Sequence, residues 1–399
     1  MDKRLKDAYV VSAVRTPTGK APRGMFRHVR PDDLLIAALK GLLEKTPKLD
    51  PNAVDDVIVG CGTPEAEQGW DVARRALLHA GYPVSVTGVT VNRFCSSGLQ
   101  AVAMAADRIR VGEAEVVVGG GVDSMSVIPP YGWKPSYNPN DLLQENTVGI
   151  TFSMGIGAEL IARERKIDRE AQDRFALQSH MKAVAGIQKG EFKEEILAFE
   201  IIQSIPDKNT SRVKVIRHTV DTDEGPRPDT SIEALRKLRP VFDAKGTVTA
   251  GNSSQMSDGA AAVLLCSEKA LKEYDLKPLA RFVSYGVAGV KPEYYTVAPV
   301  KAIPKALMHA GLTLADVGWI ELNEAFASQA LAVIQELDLD QEKVNPLGGA
   351  IALGHPIGAT GTKLTATLVH AMNRHNVKYG MVSMCVGFGM GAAGIFELT

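Results

Sequence analysis

Apolar residues along the chain change spacing in a way that marks out its elements. After Cys95 they fall at Leu99, Val102, Ala103, Ala106 and Ile109, the three- and four-residue spacing of a helix with one buried face. After His355 they fall at Leu364, Leu368 and Met372, again one helical face, behind a turn rich in Gly and Pro. Unbroken apolar runs, "EVVVGGG", "AAAVLLC" and "GMVSMCVGFG", read as buried strands, the first and last ending in glycines. This grammar occurs twice. In one copy the helical pattern "DDLLIAALKGLLEK" leads through "LDPNAVDDVIVG" to the turn "VNRFCSSG"; in the other, "VKAIPKALMHAGL" leads through "TLADVGWIELNE" to "LGHPIGATG". Val54 to Cys95 spans 41 residues and Val317 to His355 spans 38, so the chain predicts a duplicated α/β unit with a reactive side chain near a helix start in each copy.

Between the copies, from about Val127 to Lys245, the pattern is different. A loop rich in Pro, Tyr and Trp, "PPYGWKPSYNPND", precedes one long charged helix, "ERKIDREAQDRFALQSHMKAVAGIQKGEF", and a stretch dense in Arg, Lys and Asp. That composition suits a solvent-facing insertion over a rigid scaffold. Arg212, Lys214, Arg217 and Arg227 could serve a phosphate-bearing ligand there, or simply pair with nearby acidic residues on a solvated face. "AAAVLLC" then rejoins the first copy.

Composition narrows the class. With 399 residues and 45% apolar content the chain can bury a large core, and 45 basic against 46 acidic side chains leave no global field to recruit nucleic acid or an anionic membrane. The apolar run at the N-terminus is broken by Ser12 and Arg15, no stretch has the roughly 20 apolar residues of a membrane span, and a cytoplasmic location is expected. Cys61, Cys95, Cys266 and Cys385 stand far apart with no C-x-x-C pair, which predicts reduced thiols, each by default a small buried hydrophobe.

Local context singles out two of them. Cys95 lies between a β-rich run and a helix, where unpaired N–H groups and the helix dipole ease formation of a thiolate. A nucleophilic Cys needs a base, and His355 in the matching turn would meet it if the copies pack about a pseudo-twofold axis. Asn323 in "ELNEAFA" is either a helix N-cap or a hydrogen-bonding device in a cleft. Cys385 ends an apolar strand, and the glycines after it allow exposed backbone N–H groups of the kind an oxyanion requires. Gly389, Gly391 and Gly394 spell G-x-G-x-x-G, but only Ile395 to Thr399 follow, too few for the helix and acidic residue of a dinucleotide site. A zinc site built from Cys95, His355 and Cys385 would lack the usual short ligand pair, and no metal is expected.

Together "VNRFCSSGLQAV", "NEAFA", "GGAIALGHPIGATG" and "CVGFGMGAAG" resemble, in order, the four signature blocks of the thiolase family, and "VVSAVRTPTGK" and "KLRPVFDAKGTVTAGNSSQMSDGAAA" extend the resemblance over nearly the whole chain. It implies an α/β thiolase fold of two βαβαβ-type halves with mixed five-stranded sheets, layered α-β-α-β-α, plus an inserted loop domain. The halves would be residues 1–126 with 246–275, and 276–399; the insertion, binding CoA and substrate, would be 127–245. It further implies that Cys95 becomes acylated, that His355 assists its activation, and that Asn323 positions a water which, with His355, stabilises a thioester enolate. Cys385 would be the acid/base. The N–H groups of Cys95 and Gly387 would hold the oxyanion of the tetrahedral intermediate, and Arg227 and Ser254 would contact coenzyme A. Coenzyme A would be a substrate and no cofactor would be permanently bound. Relatives are homodimers or homotetramers, some within a β-oxidation multienzyme complex.

Members specialised for acetoacetyl-CoA often carry "HMG" in the loop that closes the acyl pocket. Here "FSMGIGAEL" has Ser153 before Met154, so the chain is more similar to the degradative 3-ketoacyl-CoA type, with the acetoacetyl-CoA (acetyl-CoA C-acetyltransferase) type as the alternative. A ketoacyl synthase would normally pair its Cys with a second His or an Asn, against Cys385. A non-enzymatic acyl-CoA-binding relative would have lost one of the four catalytic side chains, all of which are present.

Overall fold

A computed structural model describes residues 5–399 apart from 137, 208 and 211. Its strands are β1 (Ala8–Arg15), β2 (Gly19–Lys20), β3 (Asp56–Cys61), β4 (Thr87–Val91), β5 (Val116–Ser124), β6 (Phe199–Asp207), β7 (Arg212–Val220), β8 (Ser257–Ser267), β9 (Ala280–Gly289), β10 (Trp319–Leu322), β11 (Tyr379–Val386) and β12 (Met390–Leu398). Its helices are α1 (Pro31–Lys45), α2 (Val72–His79), α3 (Ser97–Arg110), α4 (Met154–Glu164), α5 (Arg169–Lys189), α6 (Ile232–Arg236), α7 (Glu268–Glu273), α8 (Pro299–Ala310), α9 (Ala327–Leu337), α10 (Ala350–Leu353) and α11 (Thr360–His375).

The sequence repeat is a repeat of topology. In the first copy β1 and β5 flank β8 antiparallel, and β3 and β4 follow in parallel. In the second, β9 and β11 flank β12 antiparallel, and β10 follows in parallel. Where the first copy has β4, the second keeps a single parallel bridge between Ile320 and Val344. The copies join edge to edge through β1 and β9, with Ala8 opposite Phe282 and Val10 opposite Ala280, so that one ten-stranded sheet runs from β4 to β10.

That sheet encloses α3 and α11, which pack on each other. α1 and α2 cover the outer face of the first half in a cluster with Leu34, Leu39 and Leu77, and α8 and α9 cover the second with Ile303 and Val333. The helix after Cys95 shows the expected stripe, with Leu99, Val102, Ala103, Ala106 and Ile109 all buried. α11 is buried on nearly every side from Thr360 to Met372, well beyond its apolar positions. The polar residues there are bonded internally: Thr365 donates to the Gly361 carbonyl at 2.8 Å and Thr367 to Glu195 at 2.9 Å, which removes most of the cost of burying them.

The charged helix forms as α5, starting five residues later than the quoted stretch, whose first residue closes α4. α4 ends at Glu164, Lys166 turns at φ 54°, and Asp168 caps α5 by accepting from the Ala171 N–H at 2.8 Å. α5 is not solvent-facing throughout, because Gln172, Asp173, Ser179 and His180 are buried in its inward side. The basic run separates. Arg212, Lys214 and Arg217 lie on the exposed β7 of a two-stranded sheet, where Arg217 pairs with Glu200 at 2.8 Å, whereas Arg227 lies beyond it.

One buried ionic knot ties this segment to the scaffold. Arg15, 1% exposed, donates to Glu195 at 2.6 Å and through both terminal nitrogens to Asp223 at 2.7 and 2.8 Å. Such a pair is strongly destabilising to break from one side because an unpaired buried charge is left behind. Among the described residues no helix is long and apolar enough to cross a membrane.

Candidate active site

The Cys95 turn is built by its own side chains. Asn92 accepts from the Phe94 N–H at 2.8 Å, and Ser97 accepts from the Arg93 N–H at 2.8 Å while donating to the Phe94 carbonyl at 2.7 Å. These bonds hold Phe94 at φ 43°, a region sparsely used by non-glycine residues and enriched at functional sites. Phe94 packs edge-on against Phe388, at 4.9 Å between ring centres, and so brings the tip of the β11–β12 hairpin, with Gly387, beside Cys95. The hairpin runs directly into β12 rather than a helix, which removes any dinucleotide reading of its glycines. Gly391 and Gly394 lie within β12, whereas Gly389 is in the hairpin loop at φ 80°.

The His355 turn is held from four directions. Gly354 at φ 81° brings the chain so close to Ser257 and Thr18 that a Cβ would lie 2.4 Å from the Ser257 hydroxyl. The His355 N–H donates to that hydroxyl at 3.0 Å. The ring Nδ1 lies 2.6 Å from Thr360 Oγ1, and the Thr360 hydroxyl proton is directed to the Pro356 carbonyl at 2.8 Å. Thr360 must therefore accept, which puts the ring proton on Nδ1 and leaves a lone pair on Nε2. Asn323 Nδ2 lies 3.4 Å from that Nε2. Buried Lys363 donates to the carbonyls of Leu353, at 2.5 Å, and Gly354, at 3.1 Å, immediately before the histidine.

The two turns meet because glycines let backbone touch backbone. A Cβ on Gly361 would lie 2.2 Å from the Leu99 nitrogen, and one on Gly98 would lie 2.6 Å from the Thr362 nitrogen, so α3 and α11 abut at their first turns. The Cys95 turn consequently packs on the 357–359 turn and on β11, whose Cys385 is fully buried and in electrostatic contact with Cys95. Asn323 is not an N-cap: α9 begins after Phe326. Its own N–H is bonded to the Ser383 carbonyl at 2.9 Å, and its side-chain Oδ1 is buried with no partner within the protein, the expected state of a group that serves a ligand or water.

Electrostatics set the resting protonation states. Burial pushes the Cys95 thiol up to about 11, against the opposing pull of the Gly387 and Cys95 N–H groups, with the Asp123 charge adding to the rise. The N–H groups that ease thiolate formation act here too, but loss of solvation outweighs them and the resting form is the thiol. Burial also pushes Cys385 well above the ordinary thiol range, with the nearby Cys95 sulfur contributing. Burial, helped by the Lys363 charge, lowers His355 to about 3, so its imidazole is neutral at physiological pH. A protonated thiol therefore stands at the same seam as a neutral imidazole with its Nε2 lone pair available, an arrangement suited to proton transfer on attack.

Ser254 and Arg227 lie on segments bonded to elements of this seam. The Ser254 N–H donates to the Ala325 carbonyl at 2.9 Å, beside Asn323. Gln255 donates to the carbonyls of Gly225, at 3.1 Å, and Ile351, at 2.9 Å, linking the Arg227 segment to the turn that carries His355. The Arg227 side chain is exposed, 3.5 Å from Asp229, and its N–H donates to His180. His180 is lowered to about 4 by burial and by the Arg227 and Lys20 charges, which places both cations near the same buried ring. Among the described residues no group of three or more His, Cys, Asp or Glu side chains is arranged to hold a metal ion.

Sequence reasoning passed over Thr360, Lys363, Tyr295 and Asp123. Thr360 could have been found from its place five residues after His355 at a helix start; nothing local marks the others. Tyr295 is buried in one cluster with Cys385, Phe326 and Ala158, and its hydroxyl donates to the Met154 carbonyl at 2.5 Å. The role of Thr360 is testable. Thr360→Val keeps the shape but removes the acceptor for Nδ1, and it should lower kcat by about tenfold to a hundredfold, the scale for misaligning a reacting group, with KM changed little. Steady-state kinetics on folded protein check this.

A duplicated α/β fold that brings two buried thiols and a neutral imidazole to the seam between its halves is suited to acyl transfer. The family model for the thiolase N-terminal domain matches residues 8–269 and that for the C-terminal domain matches 276–398, and the chain belongs to the thiolase family. It is 49% identical over 395 residues to the 3-ketoacyl-CoA thiolase of Bacillus subtilis, covering 99% of this chain and 100% of the relative. The human mitochondrial 3-ketoacyl-CoA thiolase superposes with a TM-score of 0.88 at 40% identity, covering 99% of both chains. A structure of that human enzyme in complex with CoA gives 0.87 at 39% identity, covering 99% of this chain and 98% of the other.

Proposed function

We propose that the protein cleaves 3-ketoacyl-CoA with coenzyme A to acetyl-CoA and a chain-shortened acyl-CoA, by ping-pong transfer through Cys95, as a step of fatty-acid β-oxidation. The observation that carries this reading is the convergence of a protonated Cys95, a neutral His355 and the Gly387 and Cys95 N–H groups on one seam. Its full-length likeness to enzymes named 3-ketoacyl-CoA thiolase, one of them solved with CoA, supports the substrate class.

In the first half-reaction Cys95 passes its proton to His355 Nε2 and its sulfur attacks the 3-keto carbon. The resulting oxyanion is received by the Cys95 and Gly387 N–H groups. Breaking the C2–C3 bond leaves an acetyl-CoA enolate, stabilised from the Asn323 and His355 side and protonated on carbon by Cys385. In the second half-reaction the coenzyme A thiol returns a proton to Cys385 and attacks the acyl-Cys95 thioester. Cys95 leaves as a thiolate and recovers its proton from His355. Each oxyanion donor is worth about 100- to 1,000-fold in rate when removed, so two separate sites for negative charge account for much of the acceleration. Arg227 and Ser254 hold coenzyme A, which comes and goes as a substrate, and no group is permanently bound. The enzyme acts in the cytoplasm as a homodimer or homotetramer, alone or with β-oxidation partner subunits.

The test is to mix the protein with a 3-ketoacyl-CoA in the absence of free coenzyme A and map the adduct by mass spectrometry. The shortened acyl group should be found on Cys95; acyl mass confined to another residue overturns the assignment. Steady-state thiolysis across chain lengths separates the two subtypes. Turnover of medium and long chains supports the degradative reading that Ser153 suggests, and turnover of acetoacetyl-CoA alone supports the biosynthetic one.

A further inference from the structure

The seam between the two halves has a carboxylate at its centre. Asp123 ends β5, is 2% exposed, and is used by no step of the reaction above. Its Oδ2 accepts from the Gly62 N–H at 2.8 Å and from the Gly358 N–H at 2.5 Å, and its Oδ1 accepts from Gln68 Nε2 at 2.5 Å. Gly62 and Gln68 belong to the segment after β3 in the first half. Gly358 belongs to the second, three residues beyond His355 in the same turn. Around Gly358 there is no slack, since a Cβ there would lie 2.6 Å from both the Cys61 Cα and the Gly62 nitrogen. Asn92, at the head of the Cys95 turn, donates to the Gly62 carbonyl at 3.1 Å, so the residue that gives its N–H to Asp123 also anchors the nucleophile's turn through its carbonyl.

We propose that Asp123 is the positioning residue that locks the two catalytic turns together, binding with one buried carboxylate both Gly62, on which Asn92 anchors the Cys95 turn, and Gly358 of the His355 turn. This rests on the reading of Cys95 as nucleophile and His355 as its base. Charge-assisted bonds to a carboxylate are about twice as strong as neutral ones, which suits a joint between halves whose other contacts here are close-packed glycine backbone. The same charge acts on the reactive thiol: Asp123 raises Cys95, which Cys385 and Tyr295 also face, and it stands near the Cys61 thiol on its other side. Asp123 itself is raised to about 6 by burial, against the opposing pull of the Gly358, Gly62, Gln68 and Thr63 donors, and remains ionised at neutral pH. It therefore favours the protonated resting thiol while it holds the base in place.

Asp123→Asn keeps the size and loses the charge; with its one carbonyl oxygen toward Gly62 and Gly358, its NH2 meets the Gln68 NH2 donor-to-donor, so the amide must shift out of the joint. Two readouts are expected to move together. The kcat for thiolysis should fall about a hundredfold, the cost of displacing a reacting group by roughly 1 Å, with KM within about threefold. The pH midpoint for iodoacetamide alkylation of Cys95 should fall once the negative charge is gone. A folded Asp123→Asn protein with wild-type kcat, or with an unchanged alkylation midpoint, overturns the proposal. If that variant does not fold, Gln68→Met decides the matter, since it removes one donor and keeps the carboxylate; its kcat should fall about three- to tenfold with KM unchanged, and wild-type kcat counts against the proposal. Failure of the underlying reading looks different, because wild-type protein would then form no acyl adduct on Cys95.

Discussion

Cys95→Ser will fold like the wild type and lose thiolysis of 3-ketoacyl-CoA by at least about 10⁴-fold, the scale seen when a covalent nucleophile is removed. The physical reason is the leaving group as much as the attack. A serine hydroxyl is a far weaker acid than a thiol already raised to about 11, so His355 would have to remove a much less acidic proton inside a buried site. An oxygen ester on Ser would also be a poorer partner than a thioester for exchange with the coenzyme A thiol. Folding should be spared because the turn is held by Asn92 and Ser97 rather than by the thiol. A thiolysis assay with calorimetric measurement of coenzyme A binding checks both halves of the statement; residual activity within about tenfold of wild type would remove Cys95 from the chemistry.

His355→Ala should cost about 10³- to 10⁴-fold, combining loss of a general base with loss of enolate stabilisation. Its pH dependence carries more information than its magnitude. In the wild type a neutral imidazole with Nε2 free accepts the thiol proton, so kcat/KM should be nearly flat through neutral pH. Without that base the reaction depends on free ionisation of a thiol near 11, of which only on the order of 10⁻³ is thiolate at pH 8. The sign follows: thiolate increases with pH, so residual activity of His355→Ala should rise about tenfold per pH unit between 7 and 10. A variant whose profile stays flat would show that His355 does not take the Cys95 proton.

Much of the fold is legible in the chain because it depends on local spacing. The stripe from Leu99 to Ile109, the apolar runs around Val116 and Val382 and the repeat from Val54 to Cys95 and Val317 to His355 are one-dimensional signals that survive as β5, β11, α3 and the matched half-sheets. The reading loses accuracy where tertiary contacts override composition. The charged stretch after Arg163 forms one helix, as its pattern indicates, but not a wholly solvated one, because its Gln172, Asp173 and His180 point inward. α11 carries polar Thr365, Thr367 and Lys363 into the core, because nearby carbonyls at Gly361 and Leu353 and, far away in sequence, Glu195 of the Arg15 knot supply their partners.

For the site, the sequence by itself determined the residue types and the local framing of each: a Cys and a His on glycine-bearing turns before helices, an Asn at a strand end and a second Cys closing the last apolar run but one. Those features need only neighbours a few positions away. The tertiary structure alone decided that the two turns touch, through Gly98 and Gly361, and which nitrogen of His355 is free, through Thr360. It also set the resting ionisation of Cys95. A helix start favours a thiolate, but desolvation is a property of everything packed around the sulfur, and that environment is assembled from both halves of the chain.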